Sequence, residues 1–325
     1  MTEPVVTLRA VLDRTDAAVR AGEAAGPALY PTGFTPLDTY LGGGLRAGEL
    51  TLLGRPQGLG KTTFALQVAR NAAVSGSDVV YFSFEHDEVT LFARLVALEA
   101  GLRHAPVTLR DVRAALDATD ASAAGLGGRL GPGGAEAVAA VAEYADRFLV
   151  HRSDGRLTTP EAIAQVAGAY TGDHRALVVV DYLQKVAVPG PTEDERSTLA
   201  VEALKDLALE LDVPVLAIVA ADKAGLAKAG RLRIFDLRGS SALAYEADVV
   251  LMVNDKYDVV ARHHLVYDVA NADRFRGWVV LTVEKNRSGL DRVDLEFRKA
   301  FEEGRFDTDG NAVAEQLVDE RVYVE

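Results

Sequence analysis

Gly58-Leu59-Gly60-Lys61-Thr62-Thr63 stands between ELTLLG (49–54), a short apolar run with strand character, and TTFALQVA (62–69), which continues as a helical stretch. A glycine-rich turn feeding a helix aims several backbone N–H groups and the positive helix end at one point, which suits a triphosphate. Lys61 can then reach the β and γ phosphates, and the Thr62 hydroxyl can bind Mg²⁺. The spacing departs from the usual G-x-x-x-x-G-K-[ST]. The position five residues before Gly60 is Arg55, and the glycine stands one residue earlier, at Gly54. The expected ATP-binding loop comprises Arg55, Gly58, Leu59, Gly60, Lys61, Thr62 and Thr63.

Outward from this loop, β-rich runs alternate with helical stretches. DVVYFSFE (78–85) is followed by TLFARLVALEAG (90–101), and ALVVVDYLQ (176–184) by STLAVEALKDLALELD (197–212). VPVLAIVAAD (213–222) and ADVVLMVN (247–254) complete the series. Strands alternating with helices imply an α/β fold with a mostly parallel central sheet flanked by helices. WVVLTVEKNRSGLDRVDLEF (278–297) reads as two strands about a turn at Asn286 to Leu290, a C-terminal β-hairpin added to that sheet. The Ala/Gly-rich stretch 121–135 reads as a mobile loop.

Mg²⁺ keeps several waters and takes few protein oxygens, so an acidic partner is expected at the tip of a strand neighbouring the phosphate loop. Asp181, closing the apolar run from Ala176, is that candidate. Glu85 closes VVYFSFE and would lie beside the γ phosphate if its strand neighbours that of Asp181, placed to deprotonate water. By spacing alone Glu85 reads equally well as a solvated loop carboxylate.

Ahead of the core, Val5, Leu8, Leu12 and Val19 share one face of a helical period, and AGEAAGPALYP (21–31) then acts as a linker. Lys and Arg number 35 against 48 Asp and Glu, a formal charge of −13, which repels polyphosphates unless a local stripe reverses the sign. There is no cysteine, which excludes disulfides, thiolate zinc sites and a cysteine nucleophile. The N-terminus lacks a basic start followed by an apolar run, and no stretch approaches 18 apolar residues. A cytoplasmic protein with no membrane partner is expected.

The ordered motifs resemble the C-terminal, RecA-like ATPase domain of DnaB-type replicative helicases. The likeness rests on Pro31-Thr32-Gly33-Phe34-Thr35-Pro36-Leu37-Asp38, Arg55-Pro56 and Gly60-Lys61-Thr62-Thr63. It continues through Phe82-Ser83-Phe84-Glu85, Asp181-Tyr182-Leu183-Gln184, Asp236-Leu237-Arg238, Ala247-Asp248 and Lys285-Asn286-Arg287-Ser288-Gly289. Broader relatives such as the circadian-clock ATPase KaiC share the phosphate loop but less of the remainder. The resemblance implies a six-membered ring with ATP and Mg²⁺ between subunits and Glu85 as catalytic glutamate. It also implies that Lys285 and Arg287 reach into a neighbour's γ phosphate. The amphipathic segment would be a linker helix that docks on the next subunit.

From Asp222 to Arg238 five cations (Lys223, Lys228, Arg231, Arg233, Arg238) face two aspartates, a local +3 in an acidic chain. Arg238-Gly239-Ser240-Ser241 resembles the family's pore loop, which would follow the phosphates of single-stranded DNA; a solvated loop with ordinary charge scatter is the other reading. Ala220 stands where the family carries a γ-phosphate-sensing glutamine, and Arg55 where it carries a small residue. Residues 1–30 are expected to form the linker helix and linker, and residues 31–325 one ATPase domain without the family's primase-contacting domain. The expected function is a ring-forming, Mg²⁺-dependent ATPase with single-stranded DNA in its pore, possessed of translocating or unwinding capacity. The alternative is a regulatory or assembly ATPase that acts on protein partners.

Overall fold

The computed structural model describes residues 5–55, 60–120, 124–171, 175–221, 230–266 and 269–319. Gly58, Leu59, Lys223 and Lys228 lie outside the described residues, as do the side chains of Arg55 and Ser240.

Helix α1 (Leu8–Ala21) begins where Thr7 Oγ1 accepts from the Ala10 amide and ends at left-handed Gly22. It buries none of its residues, and Leu8, Leu12 and Val19 are all exposed. Pairing begins just after it, where β1 (Leu29–Tyr30) lies antiparallel to β2 (Leu45–Arg46) on either side of α2 (Thr35–Tyr40).

Six parallel strands make the main sheet: β3 (Leu50–Arg55), β4 (Asp78–Ser83), β5 (Phe148–Arg152), β6 (Ala176–Asp181), β7 (Val215–Ala220) and β8 (Val249–Asp255). They stand in the order β8-β3-β7-β6-β4-β5. Antiparallel strands extend the β8 side: β9 (Trp278–Asn286), then β10 (Val293–Ala300), then β11 (Arg305–Phe306), with β12 (Asn311–Ala312) also on β10. β9 and β10 are the expected hairpin. β6 is buried along its whole length, which explains its unbroken apolar run, since a parallel strand covered on both faces needs no polar side.

Side chains alternate between two cores. Leu177 and Val179 of β6 enter the core shared with α3 (Lys61–Val74), α4 (Glu88–Leu102), α5 (Leu109–Asp117) and α7 (Gly131–Tyr144). Val178 and Val180 enter the one shared with α8 (Pro160–Thr171) and α9 (Glu193–Leu211). Each such buried aliphatic side chain contributes about 1.5–3 kcal/mol relative to exposure. α9 starts with a capping box between Thr192 and Glu195, so its polar first turn needs no burial.

The structure differs from the sequence reading in three places. Within 121–135, residues Gly125–Arg129 form the short helix α6 and α7 starts at Gly131, the two packed against each other. Tertiary packing there overrides the weak intrinsic helix propensity of glycine. β5 has only three apolar residues, between Arg147 and His151, too short a run to be read as a strand. Finally, β7 lies between β3 and β6, so Asp181 is on the second strand from the phosphate loop, not the adjacent one.

The segment Thr32–Asp38 fastens the N-terminal side to α3. Asp38 accepts from the Thr32 amide and hydroxyl at 2.8 and 2.6 Å and from the Gly33 amide at 3.0 Å. Asn71 of α3 donates to the Thr32 carbonyl at 2.8 Å. Phe34, fully buried, stacks on Phe64 of α3 with centroids 4.6 Å apart and meets Phe297 of β10 edge-on. Among the described residues no helix is long and apolar enough to cross a membrane.

Candidate active site

β3 delivers the chain to Gly60, which takes a left-handed φ of +76° and acts as N-cap of α3. A Cβ there would meet Phe301 at 3.0 Å and Thr63 at 3.1 Å, so glycine suits both the backbone turn and the space. Gly54 answers a different need: its Cβ would lie 2.6 Å from Leu237, so the displaced glycine of the loop serves close packing under that residue.

Gly60, Lys61, Thr62 and Thr63 line one wall of a cleft of about 400 Å³, with Glu85, Arg94 and Phe301 on the others. Thr62 Oγ1 donates to Asp181 Oδ2 at 2.8 Å across the intervening β7, and Tyr81 Oη donates to the same oxygen at 2.9 Å. β4 and β6 are adjacent with Ser83 opposite Asp181, which carries Glu85 to the cleft two residues further on. The condition set for Glu85 by the sequence is therefore met. Lys61 Nζ lies 5.9 Å from the centre of the Tyr182 ring.

Burial pushes the Asp181 carboxyl above its ordinary range, against the opposing hydrogen bonds of Thr62 and Tyr81. Burial and the Asp181 charge together drive the Tyr81 phenol well up, so it stays a donor. The carboxylate is thus buried beside neutral hydroxyls, and among the described residues it forms no salt bridge. This hard, oxygen-only pair at the foot of a helix N-terminus fits Mg²⁺ held jointly with phosphate oxygens. Among the described residues no group of three or more His, Asp or Glu forms a metal cage, so protein ligands alone would not suffice.

Arg94 of α4 is a cleft residue that the motif reading missed. Among the described residues its Nε is buried with no hydrogen-bond partner, and burial together with Arg113 lowers the guanidinium's affinity for its proton. An arginine that lines a polar cleft with hydrogen-bonding capacity unspent among the described residues is one that an anion in the cleft would suit. The signal available in sequence was one arginine at position 94 within an apolar helix.

Lys285 and Arg287 do not reach this cleft. β9 registers Lys285 against Val250 and Asn286 against Val249, and β8 in turn registers these two against Leu52 and Thr51. The basic pair is therefore three or more residues below Arg55, roughly 10 Å or more at a strand's 3.3 Å rise. There it meets the C-terminal end of helix α10 (Ser240–Glu246). Lys285 Nζ donates to the carbonyls of Ala244 at 2.7 Å, Tyr245 at 3.2 Å and Ala247. Arg287 donates to the Tyr245 carbonyl and pairs with Asp248 at 3.2 Å.

The described cations of the segment resembling a pore loop are internally neutralised. Arg231 is buried against Asp294, Arg233 pairs with Glu284 and Asp319, and Arg238 pairs with Glu193. Gly239 is the left-handed N-cap of α10, and Ser241 is exposed. At Ala220, the neighbouring Gln184 supplies an amide: its Oε1 accepts from the Ala220 N–H at 3.1 Å, and its Nε2 donates to the carbonyl at 3.4 Å.

Residues 30–307 match the family model described as DnaB-like helicase C terminal domain. Two similar curated proteins are replicative DNA helicases DnaB. That of Treponema pallidum is 28% identical over 83% of this chain and 54% of its own length. That of Pasteurella multocida is 27% identical over 92% of this chain and 60% of its own. The chain thus spans between half and two thirds of these relatives. A solved DnaB-like replicative helicase, studied with its primase interactions, superposes with a TM-score of 0.70 at 21% identity, over 93% of this chain and 67% of that one. The likeness confirms the α/β architecture with a mostly parallel central sheet flanked by helices.

Proposed function

The chain belongs to the DnaB-like helicase C-terminal domain family, and from that premise we propose that it is the motor of a ring-forming, Mg²⁺-dependent ATPase that moves on single-stranded DNA. The observation that carries the reading is the separation of Lys285 and Arg287 from their own cleft. Two cations set three or more residues down the strands from the phosphate loop, and tied there to main-chain carbonyls and Asp248, would serve catalysis at another subunit's nucleotide. In this reading Lys61 and the α3 amides hold the phosphates, and Arg94 completes its hydrogen bonding on a phosphate oxygen. Glu85 orients and deprotonates the attacking water. Thr62 and Asp181 hold Mg²⁺, which when bound neutralises charge that develops on the phosphoryl oxygens. Residues 1–30 act as linker helix and linker to the ATPase domain of residues 31–325, and the exposed face of α1 docks on the adjacent subunit of a hexamer. Arg238, Gly239, Ser240 and Ser241 form the DNA-contacting loop in the pore.

Mixing Lys61→Ala with Arg287→Ala protein tests the trans arrangement. Rings of exchanging subunits regain part of the activity that each variant lacks alone; no regain in mixed rings overturns it. Stimulation of turnover by single-stranded DNA, weakening steeply with salt, tests the DNA reading. A second reading, a regulatory ATPase acting on protein partners, is favoured by the internal pairing of Arg231, Arg233 and Arg238. Turnover indifferent to DNA at low salt would select it.

A further inference from the structure

The segment Arg238–Asp248, with α10 at its centre, runs from one end of β3 to the other. At its start, the Arg238 amide donates to the carbonyl of Ala220, which registers against Arg55 beside the phosphate loop. At its end, Asp248 accepts from the Leu50 amide at 2.8 Å, at the opposite end of β3. The last carbonyls of a helix have no partner within it and need donors from elsewhere. Here the donors are Lys285 and Arg287, on the carbonyls of Ala244, Tyr245 and Ala247. Asp248 completes the cradle: one carboxylate oxygen takes Arg287 at 3.2 Å, and the other takes Lys205 of α9 at 2.8 Å. The Arg287 amide also donates to the Asp248 carbonyl at 2.9 Å.

Resting on the ring reading above, we propose that the C-terminal end of α10 is a dock for the two basic fingers, and that Asp248 is the positioning residue that aims Arg287. While docked, the fingers cap α10 and hold Gly239 and the loop before it in place. When they swing to a neighbour's phosphate, the three carbonyls lose their donors and α10 loosens, so finger engagement in one subunit changes the segment that follows DNA in the same subunit. The coupling needs no residue at position 220 to carry it, which accords with alanine there.

Hydrogen–deuterium exchange of the full chain, followed in the peptide 239–247, tests this. In the nucleotide-free protein, Lys285→Ala and Arg287→Ala are expected to speed exchange of that peptide about tenfold, since each removes donors from frayed carbonyls, whereas Lys285→Arg, which retains a donor, restores protection. Unchanged exchange in both alanine variants overturns the dock. Asp248→Asn is expected to lower kcat with little change in KM while the dimming of trans activity is reversed by Asp248→Glu; a KM effect alone overturns the positioning role. With a non-hydrolysable ATP analogue and Mg²⁺, light scattering first reports assembly. Faster exchange of 239–247 in assembled wild-type protein supports undocking, and unchanged exchange in assembled protein overturns it while leaving the ring reading intact. Failure to assemble counts against the ring reading, and the dock then stands or falls on the nucleotide-free variants.

Discussion

Thr62 and Asp181, 119 positions apart in sequence, meet through a 2.8 Å hydrogen bond that joins the first turn of α3 to the end of β6. The bond crosses the line of β7 and closes the foot of the cleft, so the two residues act as one oxygen site although no strand pairing joins their elements directly.

Replacing Asp181 by Asn keeps the acceptor for Thr62 and Tyr81 but removes the charge. ATP turnover is expected to fall by about 10² or more. Metal-free stability is expected to rise on the order of 1 kcal/mol, about 1–2 °C in Tm, because a desolvated carboxylate is gone. The sign follows from the raised carboxyl: above the ordinary value of 3.8 the folded protein keeps this proton longer than the unfolded chain. Wild-type stability therefore declines as pH climbs through the window above that value, and the advantage of Asp181→Asn opens over the same window. Thermal melts with chelator at several pH values check this; an advantage independent of pH would contradict it.

Glu85→Gln is isosteric and leaves the cleft lined as before. A general base of this kind contributes typically about 10²–10⁴-fold, so kcat is expected to fall by that factor with nucleotide affinity nearly unchanged. Single-turnover hydrolysis beside equilibrium binding of a fluorescent nucleotide separates the two.

For Arg94→Met the expectation splits in an unusual way. Nucleotide affinity falls about tenfold or more as a charged donor to phosphate is lost. The nucleotide-free fold, by contrast, is not weakened, because the change removes a buried, unpartnered Nε from beside Arg113. Melting curves with and without nucleotide check both halves.

Phe34→Ala opens a cavity between Phe64 and Phe297 and is expected to cost about 3–5 kcal/mol. Urea unfolding measures it. A loss under 1 kcal/mol would mean that the aromatic cluster collapses to fill the space.

The phosphate loop, Asp181 and Glu85 were legible because each is tied to a local pattern: a glycine turn between strand and helix, or an acid ending an apolar run. Arg94 was not, since a mid-helix arginine carries no local signature and its meaning comes from the cleft it faces. The docking of Lys285 and Arg287 was equally hidden, because their partners are main-chain carbonyls that every residue type possesses. The segment ending at Arg238 is rich in cations, yet its described arginines, Arg231, Arg233 and Arg238, pair with Glu193, Glu284, Asp294 and Asp319 from other parts of the chain. Charge counted along a sequence is not charge available at a surface. In the stretch 121–135, low side-chain volume reads as a loop while in space it allows two helices to lie close.

The fastening of Thr32–Asp38 to α3 has a mechanical consequence. A pull on α1 travels along the short connector 22–28, loads the β1–β2 pairing first, and passes from there to the Asn71 bond and the Phe34–Phe64 stack. Both grips are on α3, Asn71 in its last turns and Phe64 in the first turn that also carries Lys61 and Thr62, so tension from outside the domain acts on the helix that begins at the phosphate site.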